Sequence, residues 1–201
     1  MKEPTVHGVG VNDADYPVHR TEKINGKRKT VWRCHFYTVW ADMIYRCYSL
    51  AGLRNNPTYL GCSVCEEWLR FSNFKAWMEK QDWEGNYLDK DILKIGNKIY
   101  SPEFCVFVSR QVNNFVLERN SLRGKYKIGA HLEKQTGRFR VGCRNPFTGG
   151  SELLGRFDTE DEAHLAWLSK KLEHARRIAS LQKDSRVAKA LIDRYENYVI
   201  T

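Results

Sequence analysis

The sequence predicts an α+β protein built from two small domains and a short polar segment between them. Its 201 residues suffice for two modest cores, and 42% hydrophobic with 12% aromatic residues is typical of a globular chain. Apolar residues recur at helical spacing in the first half, whereas residues 126–157 alternate apolar and polar side chains in short runs that a helix follows. Helices and antiparallel strands are therefore both expected, in separate parts of the chain.

The formal net charge is +9 and the isoelectric point is about 9.3. A basic excess of this size favours a polyanionic partner, DNA or RNA first. No apolar run approaches the length that spans a bilayer, and residues 1–20 lack the apolar stretch of a signal peptide. We therefore expect a cytoplasmic protein without a membrane partner.

Six cysteines are spread over both halves, at Cys34, Cys47, Cys62, Cys65, Cys105 and Cys143. Disulfides are not expected in a chain without a signal peptide. Cys62 and Cys65 form a Cys-x-x-Cys pair, half of a zinc site, which Cys34, His35 or Cys47 could complete. Small buried hydrophobic side chains are the alternative, and zinc is not expected because the second pair lacks a diagnostic spacing.

Residues 1–33 are predicted to form a basic N-terminal arm. Asn25-Gly26 is a turn signal in its middle. Two interpretations stay open, a strap along phosphate groups or a hairpin with solvated faces. The cations of the arm are Arg20, Lys23, Lys27, Arg28, Lys29 and Arg33.

Residues 34–118 are predicted to form the first domain. One helix carries an apolar face, and a second runs from about Cys65 to Lys80. Two short strands follow, around Tyr87–Leu93 and Cys105–Val108, and a helix then begins near Ser109, a plausible N-cap. The apolar face of the first helix consists of Phe36, Trp40, Met43, Ile44 and Cys47.

Residues 119–125 are predicted to be a linker, residues 126–180 a second domain, and residues 181–201 a C-terminal helix centred on Ser185–Tyr195. In the second domain we expect three antiparallel strands packed on one helix. Thr159 and Glu162 form a capping-box pattern at the start of that helix. The predicted strands are Ile128–Leu132, Arg138–Arg144 and Glu152–Phe157.

The middle strand of the second domain is the most informative local pattern. Phe139, Val141 and Cys143 alternate with arginines, which places the arginines on the face opposite the helix. Arginine binds phosphate, or guanine O6 and N7, through two parallel hydrogen bonds. An ordinary solvated face is the alternative, since Glu133 and Glu152 lie nearby. The predicted open face carries His131, Arg138, Arg140, Arg144 and Arg156.

Tyr126 to Ala175 resembles the apetala-two/ethylene-response-factor (ERF) DNA-binding domain. The resemblance implies that the sheet lies in the major groove of double-stranded DNA, with the five predicted side chains towards it. His131 and Glu133 replace arginines of the family, so its sequence preference does not carry over. The matching segments are Ile128-Gly129-Ala130, Gly137-Arg138-Phe139-Arg140-Val141, Leu154-Gly155-Arg156-Phe157-Asp158-Thr159, and Glu162-Ala163 with Ala166.

The first domain resembles an HNH homing-endonuclease group of bacteriophages. The resemblance implies a strand–strand–helix core holding one divalent metal, Mg²⁺ or Mn²⁺. By position, Asp89 is its carboxylate ligand and Asn113 or Asn114 its helix ligand. The matching segments are Trp40 with Met43, Arg46, Cys47 and Tyr48; Tyr59 to Gly61; Val64-Cys65-Glu66-Glu67-Trp68; Phe71 to Phe74; Leu88-Asp89-Lys90-Asp91; Tyr100-Ser101-Pro102-Glu103; and Asn113-Asn114.

The predicted catalytic set, Asp89, Lys90 and Asp91, departs from that family. Lys90 stands where the family has its general-base histidine, and Phe104 replaces an asparagine. No histidine lies between Phe36 and Ala130. A lysine acts as a base near neutral pH only where burial lowers its pKa by several units, so Asp91 or His35 would have to substitute otherwise.

Two functions therefore stay open. One is a metal-dependent DNA endonuclease of homing type, whose cleavage or nicking site is chosen by the C-terminal domain. The other is a catalytically inactive, sequence-specific DNA-binding protein, such as a regulator. Binding of RNA or of protein is a third and weaker alternative. We expect a monomer without a small-molecule cofactor, in the host cytoplasm if the chain is phage-encoded.

Overall fold

Six helices and several small sheets form the described part of the chain, which confirms the predicted α+β class. The computed structural model describes residues 5–117 and 125–198. The chain divides into two units, residues 1–108 and residues 109–201. Of the predicted linker 119–125, all but Lys125 lies outside the described residues. No helix within the described ranges is both long enough and apolar enough to cross a bilayer.

Two hairpins open the first unit. Strands β1 (Thr5–Val6) and β2 (Gly10–Val11) pair antiparallel, as do β3 (His19–Ile24) and β4 (Lys27–Arg33). Asn25 and Gly26 join β3 to β4 with φ of 51° and 76°, the two positive φ values that a type I′ turn requires. The basic arm therefore forms a hairpin.

The helices of the first unit are α1 (His35–Tyr48), α2 (Leu50–Asn55) and α3 (Phe71–Met78), with 3-10 turns at Pro57–Tyr59 and Glu66–Leu69. The predicted helix over 65–80 is wrong, because the chain is extended at Arg70, whose ψ is 128°. The Asp13 carboxylate accepts hydrogen bonds from the backbone N–H and the hydroxyl of Ser72, at 2.9 and 2.7 Å. This cap starts α3 as a separate helix.

The core of the first unit is aromatic. Trp40 and Trp68 are almost fully buried, and the Trp40 indole N–H donates to the Trp68 carbonyl oxygen at 2.7 Å. Aromatic side chains of α1 and α3 pack around them, so the predicted stripes are core, as their helical spacing indicates. The largest fully buried side chains of α1 and α3 beside these two tryptophans are Met43, Ile44, Phe71, Phe74 and Met78.

Two further two-stranded sheets complete this unit. Strand β5 (Ser63–Val64) is parallel to β7 (Ile99–Tyr100), and β6 (Tyr87–Asp89) is antiparallel to β8 (Val106–Val108). The strand predicted over 87–93 ends at Asp89. There the carboxylate accepts hydrogen bonds from the backbone N–H groups of Asp91 and Ile92 and bends the chain into a turn.

The second unit starts with α4 (Arg110–Val116), where the Ser109 hydroxyl caps the backbone N–H of Val112 as predicted. Strands β9 (Ala130–Glu133), β10 (Arg138–Arg144) and β11 (Ser151–Phe157) form an antiparallel sheet with β10 in the middle. Helices α5 (Glu160–Ala179) and α6 (Ser185–Glu196) follow. The capping box of Thr159 and Glu162 is present at the start of α5.

Helix α5 is the centre of the second unit. Val141 and Cys143 of the sheet are buried on its side, and Trp167 packs edge-on against Tyr195 of α6. Helix α4 belongs to the same unit, since the Phe115 carbonyl oxygen accepts hydrogen bonds from Lys171 Nζ at 2.9 Å and from the Tyr195 hydroxyl at 3.3 Å. One face of the sheet is thus committed to the helices.

Candidate nucleic-acid interface

The other face of the three-stranded sheet carries the predicted basic side chains. We call it the open face and define it by His131, Glu133, Arg138, Arg140, Arg144 and Arg156. Arg140 lies at its centre, because its register partners are His131 on β9 and Arg156 on β11. The three basic side chains therefore form one row across the sheet, and all three residues are exposed.

Two arginines of the open face are held by carboxylates. Arg156 donates to both carboxylate oxygens of Glu133, at 2.7 and 3.1 Å, and these hydrogen bonds hold the Glu133 pKa below its usual range. Arg138 Nε donates to Asp158 Oδ1 at 2.8 Å, and its Nη2 donates to the Arg156 carbonyl oxygen at 3.0 Å. These two guanidinium groups have fixed orientations.

Arg140 and Arg144 differ from that pair. Neither forms a salt bridge with any residue in the described ranges, although Glu133 is close enough to Arg140 for the two charges to interact. Both are exposed. The positive charge available to a ligand is therefore concentrated on the middle strand.

The sign of the open face is more mixed than the sequence pattern indicates. Glu133 faces Arg138 in the register and lies on the open face. Glu152 lies on the helix side, opposite buried Cys143, where it contacts Lys170 and His174 of α5. Glu133 thus lies on the open face, whereas Glu152 lies between the sheet and α5.

The open face is supported by close packing behind it. Gly129 has a φ of +89°, and a Cβ atom there would lie 2.3 Å from Cγ of Trp167. His164 Nδ1 is 2.8 Å from the Ile128 carbonyl oxygen, which joins α5 to the segment that precedes β9. The register of β10 and β11 shifts between Val141 and Gly142, which leaves Leu154 as an extra residue of β11. The sheet is thus fixed against α5 by the contact of Gly129 with Trp167 and of Ile128 with His164.

Asp89 of the predicted catalytic set lies at the end of β6 in the first unit. Its Oδ1 accepts the N–H groups of Asp91 and Ile92 at 2.7 and 2.8 Å. Burial raises the pKa of this carboxyl against the lowering effect of the two hydrogen bonds. Oδ1 therefore organises the turn, and Oδ2 accepts no hydrogen bond from the described residues.

Lys90 is buried, and its ammonium group is hydrogen-bonded to Asp91 and Asn97. We call these three residues the lock. Lys90 Nζ donates to both Asp91 carboxylate oxygens, at 2.8 and 2.7 Å, and to the Asn97 carbonyl oxygen at 2.8 Å. Burial acts to lower the Lys90 pKa, but the hydrogen bonds and the charge of Asp91 outweigh it and the pKa is raised. The condition for a lysine base, a strongly lowered pKa, is therefore not met, and Asp91 is engaged as its counter-ion.

Asn113 and Asn114 lie on α4, in the second unit, whereas Asp89 lies in the first. Their joint role as metal ligands stays a prediction. Within the described ranges, no three His, Cys, Asp or Glu side chains lie close enough together to hold a metal ion. Phe104, at the predicted asparagine position, lies 5.0 Å from Lys94 Nζ, measured to its ring centre.

All six cysteines are free thiols. Cys62 is buried and Cys65 is half-buried, and burial raises the pKa of Cys65. Burial also raises the pKa of Cys47 and of Cys105, each to about 12. Protonated buried thiols behave as small hydrophobic groups, the alternative that the spacing favoured.

Comparison of the chain with protein-family models, with curated proteins and with solved structures finds no match.

Sequence reasoning missed the acidic partners Glu133 and Asp158 and the lock between Lys90, Asp91 and Asn97. The partners of Arg156 and Arg138 depend on the register across two turns, which alternation within one strand does not reveal. The sequence does contain one signal for the lock: Asn97 follows Gly96 in a turn and lies seven residues from Lys90. This turn pattern does not show that Lys90 is buried.

Proposed function

We propose that the protein binds double-stranded DNA through the open face of its second unit. The observation that carries the proposal is the row of His131, Arg140 and Arg156 across three strands, exposed on the face of the sheet opposite α5. Four arginines and His131 against the carboxylates of Glu133 and Asp158 leave a positive excess on this face, which complements a polyanion.

The arrangement divides the work between two kinds of arginine. Arg140 and Arg144 are exposed and without a salt bridge in the described ranges, so they can donate to phosphate or to guanine O6 and N7 without first breaking an ion pair. Arg138 and Arg156 are held by carboxylates, which reduces the rotamer entropy that they lose on binding a ligand.

Substitution of Arg140 tests this proposal. We expect Arg140→Ala to weaken binding to duplex DNA by about 1–3 kcal/mol, roughly 5- to 150-fold in Kd, because the central donor of the row is lost. The measurement is fluorescence anisotropy of a labelled duplex at fixed salt.

Lys189→Ala is the matched control, since it removes one positive charge from the exposed surface of α6 in the same unit. Its surface ion pair with Asp193 contributes little to stability. Equal affinities of wild type and Arg140→Ala would show that the open face does not bind DNA. Equal losses of affinity in Arg140→Ala and Lys189→Ala would show that only the net charge of the protein matters.

A second candidate function is metal-dependent hydrolysis of DNA phosphodiester bonds, which the position of Asp89 favours. Its carboxylate ends a strand of the antiparallel pair β6–β8 and keeps Oδ2 without a hydrogen bond from the described residues. One carboxylate oxygen does not by itself make a metal site, and Lys90 is engaged with Asp91. This candidate is therefore placed second to DNA binding.

Incubation with supercoiled plasmid and Mg²⁺ or Mn²⁺ tests the second candidate. Conversion to open-circle or linear DNA by the wild type, and not by Asp89→Ala, is the result expected of a nuclease. The second candidate is contradicted if the plasmid stays supercoiled with both proteins under conditions where a gel shift shows a complex. The protein would then bind DNA without cleaving it.

A further inference from the structure

The hairpin of β3 and β4 contributes no residue to a core. All six residues of β3 and all seven of β4 are exposed, on both faces of the ribbon. Val18 and Cys34, the residues next to its two ends, are buried, and the Cys34 N–H donates to the Val18 carbonyl oxygen at 2.8 Å. The hairpin thus projects from an anchored base. Its type I′ turn sets the register as far as the pair Thr21–Thr30, and a shift between Arg20 and Thr21 then leaves Val31 as an extra residue of β4.

The register sorts the side chains of this ribbon onto two different faces. One face, which we call the cationic face, pairs His19 with Arg33, Thr21 with Thr30 and Lys23 with Arg28, and it carries no acid. The opposite face, the mixed face, pairs Arg20 with Trp32, Glu22 with Lys29 and Ile24 with Lys27.

The two faces also differ in chemistry. On the mixed face, Arg20 lies over the Trp32 ring at 5.4 Å from its centre, and Glu22 faces Lys29 across the strands. On the cationic face, two hydroxyl groups lie between two pairs of basic side chains. Within the described ranges none of the six lysine and arginine side chains of the hairpin forms an ion pair. Six cations and one glutamate leave a charge of +5 on this segment, out of +9 for the whole chain.

We propose that the cationic face of the β3–β4 hairpin binds the phosphate backbone of duplex DNA as a second contact, separate from the open face. Lysine, arginine and threonine side chains are the groups that contact phosphate in DNA complexes. Successive pairs on one face of a ribbon are about 6.7 Å apart, so the three pairs cover about 13 Å, a length over which a duplex presents several phosphates. The choice of DNA as partner rests on the proposed function.

Two triple variants of the full-length protein test the proposal. Each removes three positive charges from the same hairpin, so net charge is matched and only the face differs. The cationic-face variant is Lys23→Gln/Arg28→Gln/Arg33→Gln, and the mixed-face control is Arg20→Gln/Lys27→Gln/Lys29→Gln.

The salt dependence of duplex binding is the readout. Each lost phosphate contact reduces the slope of log K against log salt by about 0.9, so we expect the cationic-face variant to reduce it by about 2.7 and the control by less than about 1. Equal slopes for the two variants, or no change in either, would overturn the proposal. Stronger losses with a single-stranded RNA probe than with duplex DNA would overturn the choice of partner.

Stability and the open face are controlled separately. Unfolding midpoints of both variants should match the wild type, because the substituted side chains are exposed. If a triple variant does not fold, the neighbours Arg28→Gln and Lys29→Gln give the same comparison one charge at a time. Arg140→Ala, with its hairpin intact, separates the two proposals. An unchanged affinity of Arg140→Ala contradicts only the proposal that the open face binds DNA. Unchanged salt slopes of the hairpin variants contradict only the proposal that the hairpin binds phosphates.

Discussion

At the scale of single residues, Lys90 has a structural role in place of the catalytic one that the sequence led us to expect. Its ammonium group donates to Asp91 and to the carbonyl oxygen of Asn97, and Asn97 donates back to the Lys90 carbonyl oxygen at 2.9 Å. These bonds join the end of β6 to the segment before β7. A buried charge that is paired and hydrogen-bonded in this way holds two loops together.

Lys90→Met should therefore destabilise the first unit. The substitution leaves the buried Asn97 carbonyl oxygen without its donor, and a buried unsatisfied acceptor costs about 1–3 kcal/mol. Tryptophan fluorescence during urea unfolding is the measurement, since Trp32, Trp40, Trp68, Trp77 and Trp83 lie in this unit and only Trp167 lies in the other.

Lys80→Met, at an exposed position after α3, is the matched control and should change the free energy of unfolding by less than about 0.5 kcal/mol. If the two variants are equally stable, the lock does not stabilise the unit. Unaltered duplex affinity of the folded Lys90→Met variant is also expected, because Lys90 lies neither on the open face nor on the β3–β4 hairpin.

At this scale the sequence predicted positions better than interactions. Alternation along β10 placed Arg138, Arg140 and Arg144 on one face, and the register confirms it. The ion pair of Arg156 with Glu133 was not predicted, since it joins two outer strands of the sheet. Its geometry depends on turn lengths and not on the pattern of either strand.

At the scale of secondary-structure elements, the local capping signals were reliable. Ser109 caps α4, and Thr159 with Glu162 caps α5. The long helix predicted over 65–80 failed because its cap, Asp13, comes from a distant part of the chain. Hydrophobic periodicity continues through a 3-10 turn and a helix that share one apolar face, so it cannot locate the break at Arg70.

The contact between the segment preceding β9 and α5 leads to a prediction about Gly129. A methyl group there would meet the Trp167 ring at 2.3 Å, and alanine also disfavours a φ of +89°. We expect Gly129→Ala to destabilise the second unit by about 2 kcal/mol or more, measured by circular dichroism during thermal unfolding.

Gly137→Ala separates the two causes. Gly137 has a φ of +70°, but its added Cβ would meet no atom within 4 Å, so only the backbone strain of about 1 kcal/mol applies. A loss of stability at Gly129 no larger than that at Gly137 would mean that the Trp167 contact relaxes at little cost.

At the scale of the whole molecule, the sequence predicted the class and the order of strands and helices in the second unit, whereas in the first unit it missed α2 and strands β1, β2, β5 and β7. The boundary was harder to place, because α4 follows β8 after a single residue and yet packs with α5 and α6 through Phe115, Lys171 and Tyr195. Chain order groups α4 with the first unit, whereas its buried side chains group it with the second. Composition cannot distinguish these alternatives.

The charge of the molecule is distributed in the same uneven way. The hairpin has an excess of +5 with no ion pair within the described ranges, whereas on the open face Glu133 and Asp158 pair with two of the four arginines. A net charge of +9 does not reveal this contrast, which depends on turns and registers. The two proposed contacts should accordingly differ in salt sensitivity, with the hairpin contributing the larger part of the salt slope.

The solvated ribbon also has a consequence for how this segment can be altered by evolution or by design. Because its strands support nothing beneath them, their length is not constrained by the interior of the first unit. Between the turn and the register shift at Arg20 and Thr21, side chains change sides at every step along a strand. Lengthening each strand there by two residues keeps every existing group on its side, whereas lengthening each by one inverts everything beyond the insertion. Extending each strand by an even number of residues can therefore lengthen the hairpin without changing its faces, whereas an odd number exchanges the side chains of the two faces.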